Sequence, residues 1–207
     1  MKFNYPNGKP STTYHGGKSA KKQATSNQRL ASFSNRGMTF EHALNLSNDY
    51  YLKKGVAVVH KKPTPIQIVQ VDYPKRSAAV IKEAYFREAS TTDYNGVYRG
   101  HYLDFEAKET KNKTSFPLKN FHEHQIVHMK NCLAQRGLVF VLLWFASLHR
   151  CFFLDAKHLC HYWDCQADTR KSIPLKELEE IGLEVSVGYA PRIHYLSAID
   201  SYYFKGE

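Results

Sequence analysis

The chain has 207 residues, 43% of them hydrophobic, which is enough for one domain with a filled core, and no apolar run reaches the length of a membrane-spanning helix. Lysine and arginine outnumber aspartate and glutamate by 29 to 19, a formal charge of +10, which favours a polyanionic partner, either nucleic acid or an anionic membrane surface. The start, MKFNYPNGKPSTTYHGGK, lacks the apolar stretch of a signal peptide, and the four cysteines form no CxxC pair, so the protein is expected in the cytoplasm with reduced thiols.

From residue 1 to 36 there are seven lysines and arginines and no acid, the first being Glu41. The segment is rich in polar and small residues, so residues 1–35 read as a disordered basic arm ahead of a folded domain over 36–207. Its GGKS resembles a phosphate loop, but Thr12 stands where the loop's first glycine belongs, which excludes that site. Residues 37–52 space Phe40, Leu44 and Tyr51 at helical intervals, with Thr39 as the cap and Gly55 beyond the end. A short strand is expected over 56–59. Three prolines, Pro63, Pro65 and Pro74, mark an extended projection, and AAVIKEAYFRE after them reads as a helix.

Residues 90–109, STTDYNGVYRGHYLDFEAKE, read as a β-hairpin with turn or bulge glycines at Gly96 and Gly100. A helix over 121–136 follows, with Ile126, Met129 and Leu133 inward and Gly137 closing it; then come strands over 138–146 and 150–154. Short helices near His158 and Leu175 and a last one near 194–204 complete an α/β order with a mixed sheet. The cluster HLCHYWDC lacks a second matched ligand pair and does not read as a zinc site.

Within the hairpin, LDFEAKE alternates apolar and charged residues. Side chains alternate across a strand, so Leu103, Phe105 and Ala107 should face a core while Asp104, Glu106 and Lys108 share the other face. The plain reading is a solvated face carrying a weak ion pair. The chemical reading adds Asp93 from the first arm of the hairpin: clustered carboxylates suit a hard divalent cation, and a nearby ammonium can orient water or neutralise charge on phosphorus. Asp, a spacer, then Glu-x-Lys is thus a phosphodiester-hydrolysis set, supported here by the basic arm. HEHQIVH is not an HExxH motif; His124 and His128 are spaced to chelate, but an exposed polar helix face is the simpler account. Tyr94, Tyr98, Tyr102 and Phe86 are read as core or as base-stacking aromatics, with core the commoner outcome.

The stretches NYPNGK, HKKPTPIQIV, YPKRSAAVIKEAYFR, STTDYNGVYRGHYLDFEAKETKNKTSFPL and GYAPRIHYL resemble the RecU family of Holliday junction resolvases, nearly end to end. The resemblance implies a restriction-endonuclease-like core, a mixed central sheet flanked by helices, with a protruding stalk over 61–87. It implies a homodimer on four-way junction DNA, with Mg²⁺, or Mn²⁺ in its place, held by Thr91, Asp93, Glu106 and Gln125 and with Lys108 stabilising the transition state. Glu41 resembles an additional acid near the metal, and Asp104 is either a further ligand or a support behind the ligands. Arg36, Lys61, Lys62, Lys75 and Arg76 are expected DNA contacts. Phe86 either stacks on an unpaired base or packs within the stalk. The recombinase RecA and the branch-migration helicase RuvAB are the expected protein partners, and no membrane is expected. A restriction-type duplex endonuclease and a non-catalytic junction-binding module are the alternatives.

Overall fold

The structure is a computed structural model that describes residues 38–87 and 91–206. The expected arm and Arg36 lie outside the described residues, as does the side chain of Arg76. Helix α1 (Phe40–Lys53) begins where the sequence places it: the Thr39 side chain accepts from the His42 amide at 3.2 Å, satisfying one of the first-turn donors. Phe40, Leu44 and Tyr51 are buried along one face, and Gly55, at φ 65°, follows the end.

Six strands form the central sheet in the order β1 (Val58–Lys61), β4 (Tyr94–Tyr98), β5 (His101–Thr110), β7 (Leu138–Phe145), β8 (Arg150–Asp155) and β10 (Leu183–Val185). Only β5 and β7 run parallel, so the sheet is mixed. The β4–β5 hairpin turns through Arg99 and Gly100, both at positive φ, the geometry a two-residue hairpin loop favours. Gly96 is obligatory for another reason: a Cβ there would stand 2.1 Å from the Val58 carbonyl oxygen on β1.

The buried run LVFVLLWF divides between two cores. Leu138, Phe140 and Leu142 pack on the side of α1 and α5 (Tyr195–Tyr203), with Leu103, Phe105 and Tyr195. Val139, Val141, Leu143 and Phe145 face α2 (Glu123–Ala134), α3 (Ala156–Cys165) and α4 (Leu175–Ile181). The result is a helix–sheet–helix sandwich of the expected kind, and it changes the meaning of LDFEAKE. Its charged face is covered by the second helical layer, so Asp104 and Glu106 are fully buried. A solvated strand face is therefore not what these carboxylates occupy.

The segment expected as a projection and then a helix is instead a hairpin of two strands, β2 (Ile66–Asp72) and β3 (Val80–Phe86), forming a sheet of its own. The helix expectation fails because VIKEAYF has β-branched and aromatic residues that gain a ladder by pairing with IQIVQVD, while only a 3₁₀ turn, Arg76–Ala78, forms after Lys75. Pro63 and Pro65 precede β2 and Pro74 lies in the connection, so none breaks the ladder. Nearly every residue of both strands is exposed, which makes the element a projection in fact. The first strand of the main sheet lies two residues later than expected, and the three-residue strands β6 (Ser115–Pro117), β9 (Ser172–Pro174) and β10 are additions.

Candidate active site

The site is built on β5 and on the segment entering β4. Asp93, half-buried, lies opposite Glu106, and its backbone amide donates to Glu106 Oε2 at 3.0 Å. Lys108 Nζ pairs with the buried Glu106 Oε1 at 2.8 Å. Burial, opposed by the Lys108 ammonium and reinforced by the Asp93 carboxylate, pushes the Glu106 carboxyl up to about 7. The one ammonium does not offset the burial of Glu106 beside Asp93, a condition that a divalent cation would relieve. Glu106 and Asp93, with Thr91 half-buried two residues before Asp93, offer hard oxygen donors that fit such an ion.

Gln125 is buried on α2, and its side-chain oxygen accepts from the His122 amide at 3.1 Å, closing the first turn of its own helix. Glu41 and Asp93 line one cleft of ≈ 240 Å³, together with Glu109. Glu41 pairs there with Lys61 at 2.7 Å. The pair is exposed and worth at most about 1 kcal/mol, so either partner is readily given up to a ligand.

Asp104 stands apart from this group. Its Oδ2 accepts from Lys62 at 2.8 Å and from the Tyr102 hydroxyl at 2.8 Å, and lies 3.1 Å from His128 Nε2; its Oδ1 accepts from the Thr92 hydroxyl. Burial alone would raise its pKa, but these hydrogen bonds, that of Lys62 foremost, hold it below the usual carboxylate range. Lys62 is thus engaged inside the protein, also donating to Thr92 at 3.1 Å. His128 turns inward to Asp104 rather than lining an exposed face with His124. Thr92 and Glu109 had no part in the sequence reading, and Tyr102 and His128 were read there in other roles, as a core or stacking aromatic and as part of an exposed helix face. Only strand parity gave a signal, since Tyr102 shares the face of Asp104.

Tyr94 and Tyr98 belong to the core, whereas Phe86 on the hairpin is 83% exposed and Lys75, also exposed, lies in the connection of the hairpin. No helix among the described residues is long and apolar enough to cross a membrane.

A mixed sheet whose central strand carries Glu106 and Lys108, with Asp93 facing them from the neighbouring chain segment, has the donor set of a phosphodiester-cleaving site. The chain matches the family described as Recombination protein U, RecU, over residues 35–201, and it belongs to that family. Among its relatives, the protein of Geobacillus sp. (strain WCH70) called Holliday junction resolvase RecU is 57% identical, covering 99% of this chain and 100% of that one. Proteins of the same name from Lactiplantibacillus plantarum and Bacillus subtilis are 59% and 57% identical, each over 97% of this chain and 95% of the relative. A solved structure, the Archaeoglobus fulgidus resolvase Hjc, is 12% identical with a TM-score of 0.39, over 68% of this chain and 94% of that one.

Proposed function

We propose that the protein is a metal-dependent, structure-selective endonuclease with a restriction-endonuclease-like core. It resolves Holliday junctions in homologous recombination and DNA repair by paired cuts in strands of like polarity. The observation that supports the reading is the buried Glu106 carboxyl lying between Lys108 and the Asp93 segment, in a chain of the RecU family. Asp93 and Glu106, with Thr91, would hold a Mg²⁺ or Mn²⁺ ion; Gln125 would join them by sharing its oxygen with the His122 amide. An ion bound there would supply Lewis acidity toward the scissile phosphate and would lower the pKa of water. Lys108, whose ammonium stays at Glu106, neutralises charge that builds on the phosphoryl oxygens as the bond breaks. Glu41 and Glu109, which line a cleft with Asp93, add anionic groups beside it.

Junction choice comes from the β2–β3 hairpin. Its exposed Phe86 and the lysine of its connection, Lys75, suit entry into the open centre of a four-way junction, a feature that a duplex lacks. A homodimer supplies two sites related by two-fold symmetry, as the two cut strands are. The test compares a synthetic four-way junction with its matched duplex, each with and without Mg²⁺. Symmetric nicks in the junction alone, and only with Mg²⁺, are expected; equal cutting of the duplex, or binding without cutting, would replace this reading.

A further inference from the structure

We propose that Asp104, clamped by Lys62, is a positioning residue that sets the Thr91–Asp93 segment against Glu106 and ties the root of the β2–β3 hairpin to the metal site. The inference rests on the proposed function for the identity of that site. Four elements meet at this one carboxylate. Lys62 comes from the chain leaving β1 for the hairpin, Thr92 from the segment between the two proposed ligands Thr91 and Asp93, Tyr102 from β5, and His128 from the helix that carries Gln125. Lys62 is held twice, because its backbone amide also donates to the Asp93 carbonyl at 2.7 Å. The hairpin itself closes directly after this anchor, where the Arg87 amide donates to the Pro65 carbonyl at 3.0 Å. A displacement of the hairpin root therefore pulls on the residue that places Asp93.

Asp104, His128 and Cys132 also bring three ligand atoms within 4.8 Å of one another, which would suit a second metal ion. The contacts argue for the clamp instead. Oδ2 already receives an ammonium and a hydroxyl at 2.8 Å each, so Lys62 fills the cation's place. Both oxygens of Asp104 already receive donors within the protein, which favours a part as support for the ligands and not as one of them.

The test reads metal binding without DNA. Mn²⁺ is titrated by electron paramagnetic resonance into the wild type, Asp104→Asn, Lys62→Met, Lys62→Arg and the Asp104→Asn/Lys62→Met double variant, with Asp93→Asn identifying the site. Asp104→Asn and Lys62→Met should each raise the Mn²⁺ dissociation constant about tenfold, Lys62→Arg should recover part of the loss, and the double variant should be no worse than either single one. In junction cleavage, the Mg²⁺ concentration for half-maximal rate should rise in parallel while the KM for DNA changes less than threefold. Unchanged Mn²⁺ affinity in Asp104→Asn, or losses that multiply in the double variant, would overturn the clamp, as would a wild type that binds no Mn²⁺. Should Asp104→Asn fail to fold, Tyr102→Phe removes one donor from the half-exposed side, and an affinity identical to wild type would count equally against the proposal. Because the titration contains no DNA, a wild type that binds Mn²⁺ but leaves junctions intact would sink the proposed function and not the clamp.

Discussion

Burial raises the Glu106 carboxyl to about 7 from an ordinary 4.5. With the folded value above the unfolded one, its contribution to stability is fully present below pH 4.5 and is lost as pH rises through about 7. In chelator, Glu106→Gln should therefore unfold at the same temperature as the wild type near pH 4.5. At pH 8 it should be more stable by roughly 1–3 kcal/mol, as thermal or urea denaturation would read. Adding Mg²⁺ at pH 8 should stabilise the wild type and leave the variant unchanged. Lys108 lowers the same carboxyl, so Lys108→Ala moves it further upward. That variant should cleave junctions about a hundredfold more slowly or worse. Its pH–rate rise should also be displaced to higher pH, whereas a variant with normal turnover would return Lys108 to a structural ion pair.

At the scale of elements, the β4–β5 hairpin was readable because its alternation and its glycines agree: Tyr94, Leu103 and Phe105 alternate inward, and Gly96 and Gly100 stand where backbone contact and positive φ demand them. The burial of Asp104 and Glu106 was not readable, because a strand's sequence states which residues share a face and not which helix later covers it. VIKEAYF misled for a related reason. Seven exposed residues carry no core pattern, and pairing with a strand eight residues away in the chain decided their form. That hairpin gives the test proper to this scale. A variant shortened between residues 68 and 84, shown to be folded, should lose junction binding and cleavage far more than duplex binding in a competition at fixed salt. Equal losses on both substrates would leave selectivity to other parts of the protein.

For the molecule as a whole, two cores on opposite faces of one sheet hold β5 rigid between them, and function was legible to the extent that Asp93, Glu106 and Lys108 lie within one hairpin. The ties of Asp104 to Lys62 and His128 span 42 and 24 residues, a separation that no local motif encodes. The net charge of +10 acts at this scale too. Removing residues 1–35 takes away six positive charges, so junction affinity should fall and its dependence on salt should flatten, while the fold persists. An unchanged salt slope would take those residues out of the DNA contact. The most direct measurement is single-turnover cleavage of a four-way junction by Asp93→Asn at saturating protein and Mg²⁺, with binding followed in the same samples. Cleavage should be abolished while the junction stays bound as tightly as by the wild type or more tightly, since one carboxylate facing the phosphates has lost its charge. Wild-type cleavage by Asp93→Asn would contradict the site at its centre.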